Sequence, residues 1–295
     1  MPVSGRGRKK GTMVNRERME IILIRVLRVC GLTAFVIGVG FPFYWMAAAS
    51  FRSLDAILME PGALIPAPGQ VDAGAYRQVL FEHGFTAYIG NSFYVAALTV
   101  ILALSLATVG AYAATRLRFR GRGPMSTAIL VIYMFPAIVL VIPLYVAFSR
   151  MGLRDSVHVL ILVYLAQTLP VALYMLRSHF QGLPPEIEYA GLVDGCSRLG
   201  VVWRIVVPLS APALAGVALY TFMIAWNEFL FAFMFLDSPE KFTLSRGVYQ
   251  LAGSVHLSKQ LVMAASVLVT VPVLAIFLFF ERYLTRGLTA GAIKG

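Results

Sequence analysis

Charge is scarce in this sequence. Asp, Glu, Lys and Arg make up 13% of its 295 residues, about half the share of a soluble domain. With 59% hydrophobic residues, a soluble fold would have too little polar surface to cover itself. An ordinary soluble enzyme, a nucleic-acid-binding domain and a disordered chain are excluded together. Cysteine is nearly missing. Cys30 lies in an apolar stretch and Cys196 in a polar one, a spacing that builds neither a disulfide framework nor a metal site. No Gly-rich loop ending in Lys-Ser/Thr occurs, so the chain lacks a phosphate cradle for ATP. Zinc-ligand spacing and a nucleophile elbow are missing too. No catalytic residue and no metal ligand is therefore assigned.

What fills the sequence is apolar runs. A helix needs ~20 mainly apolar residues to cross ~30 Å of hydrocarbon. Six runs qualify: 29–50, 88–115, 125–148, 157–176, 208–236 and 261–280. None alternates as a membrane β-strand does. The expected fold is all-α, a polytopic membrane protein with six transmembrane helices. The first run is not a cleavable signal, because Phe41, Phe43, Tyr44 and Trp45 stand where small residues would be needed.

Acidic residues are outnumbered 14 to 25, a net charge of +11. The basic residues are shared unequally between the two sides. Residues 1–28, the turn 116–122, the loop 177–204 and the tail after 280 hold 18 of them against six acids; the other connections hold seven against seven. The positive-inside rule then makes both termini cytoplasmic, in a multi-pass protein of the cell membrane. The basic N-terminus is expected to meet anionic lipid headgroups rather than nucleic acid. The domain reading is a basic cytoplasmic segment 1–28, a first span with an external loop over 29–87, a transmembrane core over 88–281 and a tail over 282–295. The external loop is rich in Gly and Pro (Pro61, Pro66, Pro68) and is expected to carry short helical pieces.

One cytoplasmic connection, 177–207, is longer than a turn needs. Pro184 and Pro185 suit a helix start, and Glu186 and Glu188 fall in the first turn, where the helix dipole favours acids. Ile187, Ala190, Gly191 and Val193/Asp194 recur at helical spacing and make a small apolar face. Gly195 can adopt the left-handed conformation that ends a helix. A second short helix is expected over about 197–207, before Pro208 opens the fifth span. These features read either as a structural linker or as a surface that another protein approaches closely.

The run Pro185-Glu186-Ile187-Glu188-Tyr189-Ala190-Gly191-Leu192-Val193-Asp194-Gly195-Cys196-Ser197, followed by Ile205-Val206-Val207-Pro208, resembles the cytoplasmic EAA loop of bacterial ABC importer permeases. In the carbohydrate branch that loop reads close to PxEIEEAALVDGAS. Tyr189 stands where the family has the glutamate of the motif's name, and Gly191 where it has the second alanine. Glu188 points about 100° away on a helix and is not a simple substitute. Asn91-Ser92, Trp226-Asn227-Glu228-Phe229-Leu230-Phe231 and the tail Gly287–Gly295 also resemble the maltose-type branch, and within it the second permease of a trehalose importer. The resemblance implies the type I ABC importer transmembrane fold. It implies a coupling helix containing Glu186, Glu188, Tyr189, Ala190, Gly191, Asp194 and Gly195, docked on a separate ATPase. The implied partners are a second permease in a heterodimer, two copies of a cytoplasmic ABC ATPase that bind ATP and Mg, and an extracytoplasmic sugar-binding protein that the external loop 237–260 would touch. The implied cargo is a disaccharide such as trehalose or a maltose-type sugar. A polyol, a glycerophosphate, or an ion-coupled transporter working alone are the alternatives.

Glu228 is the one acid deep in a span, where a charge needs a cavity or a partner. It reads either as a lining of the sugar path beside Asn227 or as a helix–helix hydrogen bond. Gln167 and Thr168, before Pro170, offer polar groups at depth and a place where the helix breaks. Asn91 and Tyr220 complete the candidate path. Tyr94, Tyr133, Tyr164 and Trp226 read as ring-stacking or packing residues.

Overall fold

The computed structural model describes residues 7–60, 62–65, 69, 71–134, 136–254 and 259–290, with the side chains of 7–18, 125–127, 130, 133 and 284–290 outside that description. Pro61, Pro66, Pro68, the Tyr133 side chain and most of the Gly287–Gly295 tail fall outside it. Among the described residues the only β feature is one isolated antiparallel bridge, Arg52 to Val71. The helices are α1 (Gly7–Ser50), α2 (Leu54–Met59), α3 (Gly74–Arg77) continued by a π-turn, α4 (Phe85–Arg116), α5 (Arg122–Tyr133), α6 (Ala137–Arg150), α7 (Val157–Gln181), α8 (Pro185–Val193), α9 (Arg198–Val201), a π-turn over Val202–Val206, α10 (Val207–Leu209), α11 (Ala211–Asn227), α12 (Leu230–Phe235), α13 (Leu244–Ala252) and α14 (Lys259–Ala290).

Four stretches are single helices long and apolar enough to cross a membrane: Met19–Ser50 in α1, α4, α7, and Lys259–Tyr283 in α14. The other two expected crossings are interrupted. The third divides into α5 and α6, of 12 and 14 residues. At 1.5 Å per residue these reach about 18 and 21 Å, each short of the hydrocarbon thickness. The fifth divides at Glu228 and Phe229 into α11 and α12, and α11 follows α9–α10 across an 84° bend. The break expected near Gln167 and Thr168 is not there. α7 runs unbroken through Pro170. Pro170 offers no N–H to the Ala166 carbonyl, but packing against neighbouring helices holds the segment helical.

α4 packs most extensively on α7, then on α11. Its inward face is a ladder of small residues one turn apart, Ser92, Ala96, Thr99, Ala103, Ala107 and Ala111, all buried. Small side chains let backbones approach where lipid gives no hydrophobic push. A Cβ on Gly110 would lie 2.7 Å from Leu173 Cδ2. Two apolar clusters form around this seam. One joins α4, α7, α11 to α14 and the segment before α4; the other joins α4, α7 and the 182–210 connection. Between Ser50 and α4, Arg52 is buried and donates to the carbonyls of Ala56, Glu60 and Ala63 at 2.6, 2.8 and 3.1 Å. One guanidinium fork thus closes the turn after α1.

Candidate functional site

The 182–210 connection has the shape its turn chemistry predicts. Pro184 is the N-cap of α8 and Pro185 its first residue. The helix ends in a Schellman motif: Cys196 N–H bonds the Gly191 carbonyl at 3.0 Å, Gly195 N–H bonds Leu192 at 3.1 Å, and Gly195 has φ +87°. Ser197 then caps α9, its Oγ accepting from Gly200 N–H at 3.1 Å.

The structure divides the seven candidate coupling residues between two faces. Glu186, Tyr189, Ala190, Asp194 and Gly195 are exposed, as are Ile187 and Val193; Val193 is 88% exposed. Glu188 and Gly191 are turned inward, which corrects the reading of Gly191 as part of the outward small face. A Cβ on Gly191 would collide with Ile205 Cδ1, so glycine is what lets α8 lie against the π-turn after α9. The Glu188 carboxylate is 8% exposed and accepts from Arg116 Nε at 2.7 Å; Arg116 Nη2 donates to the Leu183 carbonyl at 2.7 Å. On the next element Leu199 and Trp203 are also exposed, at 60% and 49%. The outward face of α8 is open and rimmed by two acids, Glu186 and Asp194, a composition suited to contact with another protein.

The candidate path residues do not share one site. Gln167 and Tyr220 line a cleft of about 440 Å³ together with Ile132, Met134, Pro136 and Pro170. The cleft opens where the third expected crossing is broken, and Ala166 also lines it. Gln167 Nε2 is buried with no hydrogen-bond partner among the described residues. A buried donor left unpaired costs about 1–3 kcal/mol. Interrupted helix at membrane depth is tolerated where it lines such a cavity.

Glu228 is elsewhere and its carboxylate is fully engaged. Oε1 accepts from Phe231 N–H at 2.9 Å, and Oε2 from Ala232 N–H at 3.2 Å and Tyr164 Oη at 2.7 Å. Ser245 Oγ donates to the Glu228 carbonyl at 2.6 Å. The acid caps α12, ties it to α7 and α13, and stabilises the interruption. Asn227 Nδ2 bonds the Met223 carbonyl on its own helix. Asn91 Nδ2 donates to the carbonyls of Glu240 and Phe242, and Ser92 Oγ accepts from Leu244 N–H; both pin the segment before α13 to α4. Trp226 is buried against Phe222 and Phe93 and bonds the Val269 carbonyl. Tyr94 meets His158.

A polar latch missed by the sequence reading closes the end opposite α8. Asp155, at φ 56°, accepts from Asp237 N–H, Ser238 N–H and Oγ, and Lys241 Nζ, the last at 2.7 Å; Arg154 pairs with Asp237. Burial alone would raise the Asp155 pKa, but those hydrogen bonds hold it well below the usual carboxylate range. Charge counting in the connections showed these residues as balanced but carried no pairing signal.

Four long apolar helices, two interrupted apolar segments and the bent 182–210 connection make this an all-α, polytopic membrane fold. The chain belongs to the family of binding-protein-dependent transport system inner membrane components, whose model matches residues 107–290. It is 38% identical over 276 residues to the inner membrane ABC transporter permease protein YcjP of Escherichia coli (strain K12), covering 92% of this chain and 98% of that one. It is 36% identical to the trehalose/maltose transport system permease protein MalG of Thermococcus litoralis, covering 94% and 99%. A chain of a bacterial ABC transporter involved in the import of the acidic polysaccharide alginate superposes with a TM-score of 0.74 over 96% of this chain and 99% of that one at 22% identity, so the folds are alike. The chain is a multi-pass membrane protein.

Proposed function

We propose that this chain is one translocating subunit of an ATP-driven carbohydrate importer, with a disaccharide of the trehalose or maltose type as cargo. The observation that carries the reading is the outward face of α8 and its corner. Ile187, Tyr189, Ala190 and Val193 stand exposed beside Gly195, on a helix whose shape is set from behind. In this reading α8 docks on a cytoplasmic ATPase that binds ATP and Mg, and this chain holds no ATPase site. Two ATPase copies and a second permease complete the complex, an extracytoplasmic sugar-binding protein meets the α12–α13 side, and both termini are cytoplasmic. ATP-driven closure of the ATPase pair biases the spans between inward- and outward-facing arrangements. The cleft at Gln167 and Tyr220 lies on the sugar path. The names of the relatives support the reading: YcjP is an inner membrane ABC transporter permease, and MalG belongs to a trehalose/maltose transport system.

The test is uptake of labelled trehalose, maltose and other sugars by proteoliposomes holding the assembled complex. ATP-dependent accumulation is expected. Accumulation by this chain alone, driven by an ion gradient, overturns the proposal.

A further inference from the structure

We infer that Arg116 is a positioning residue for the coupling helix: its guanidinium joins the end of α4 to Glu188 and to the Leu183 carbonyl and so fixes the angle at which α8 is presented. The inference rests on the proposed docking role of α8.

Covalently, α8 hangs from only two spans. It follows α7 through residues 182–184 and leads through α9 and α10 into α11. Its noncovalent support from that side is apolar: Gly191 lies against Ile205 and Val201, and Leu183 and Leu192 pack on the same cluster, contact that is non-directional. Arg116 supplies the third point of attachment, from a span 67 and 72 residues away in the chain. The two 2.7 Å bonds leave different nitrogens of one planar group. One holds the residue before the helix cap and the other holds the first turn, so the rigid fork sets an orientation as well as a distance. Both charges are largely buried, with 16% and 8% of the side chains exposed, and the Tyr112 hydroxyl, one turn higher on α4, lies against the same carboxylate. A buried pair of this kind holds because either charge alone is penalised. α4 is seated along α7 and α11 by its small-residue ladder. A push on α8 therefore reaches the centre of the bundle through α4, not only the two spans it is threaded to.

The experiment uses the assembled complex in proteoliposomes and reads sugar accumulated per ATP hydrolysed. Arg116→Ala is expected to lower that ratio by about tenfold while the ATPase stays bound and hydrolysing, the size of effect that coupling networks show. Arg116→Lys keeps the charge beside Glu188 but not the planar fork and is expected to fall between the wild type and Arg116→Ala. Glu188→Gln keeps an acceptor but removes the charge, and serves if Arg116→Ala does not assemble; it is expected to lower the ratio about threefold. An unchanged ratio in whichever of these variants assembles overturns the positioning role. Wild-type complex that shows no ATP-dependent uptake overturns the proposed function itself, whatever Arg116 does.

Discussion

Replacing Gly195 separates backbone strain from contact with a partner. Its φ of +87° lies in the region where an L side chain costs about 1–2 kcal/mol, and asparagine tolerates that region better than alanine. Yet, its two chain neighbours aside, no heavy atom of the described residues lies within 4 Å of a Cβ built there. Within this subunit a Cβ meets open space, so a small side chain is penalised by the left-handed conformation alone. Gly195→Ala is expected to lower stability by about 1–2 kcal/mol, with Gly195→Asn losing less, and the melt of Gly195→Trp reads whatever its indole adds within the subunit. Beyond that, what distinguishes tryptophan from alanine is what it meets outside. If α8 and its corner enter a cleft on an ATPase, Gly195→Trp recovers less ATPase than Gly195→Ala, and the uptake per ATP of the complex that does assemble falls by about tenfold, a coupling change near 1.4 kcal/mol. The assays are thermal unfolding in detergent, recovery of the tagged ATPase, and sugar uptake against phosphate release in proteoliposomes. Alanine and tryptophan variants that match in all three would refute the idea that this corner touches a partner.

Four further outcomes are expected. Glu228→Ala removes a carboxylate from two backbone N–H groups and the Tyr164 hydroxyl and should cost about 3 kcal/mol, with Glu228→Gln losing less; an unchanged melting temperature for Glu228→Ala would refute the capping role. Gly247→Ala places a Cβ 2.7 Å from Tyr88 Cε2, on a ring packed against Phe85 and Phe242. Overpacking of that kind costs about 1–3 kcal/mol, read by the same melt. Gln167→Leu should raise the sugar concentration for half-maximal uptake while stability holds or rises by about 1 kcal/mol, because an unpaired buried amide is removed; unchanged uptake kinetics would place the path elsewhere. Asp155 has a depressed folded pKa, so its contribution is complete above an unfolded carboxylate pKa of ~4 and is lost as pH falls from there through the folded value. Acid melting of the wild type below about pH 4 should be blunted in Asp155→Asn, which begins less stable.

The parts that could be read from residues alone were governed by neighbours in sequence. Pro184-Pro185, the Gly195 corner and the Ser197 cap depend on local backbone chemistry, and they fall where turn rules put them. The apolar runs mark the spans for the same reason, since hydrocarbon thickness is a length. The interruptions are different. Pro136 and Pro170 look alike in sequence, yet one heads a new helix and the other sits inside α7, because the cost of a lost backbone bond depends on what packs around it. Glu228 offered two readings, and its partners on α7 and α13 could not be seen without the fold. Arg116 looked like one more basic residue in a short turn; only the approach of α8 makes it a fork. Charge sums located Asp155 and Lys241 on one side but could not say that they meet.

The closure of the bend after α8 is made almost wholly from main-chain groups, with Gly195 its one demanding position. Side chains pointing away from the bundle, such as Tyr189 and Val193, take no part in forming it. Their identities can drift without reshaping the scaffold beneath them. If α8 docks as proposed, a tyrosine can thus occupy the spot where the resembling loops have an acid, and a change of a few outward residues can suit a new nucleotide-consuming companion while leaving the membrane machinery as it was.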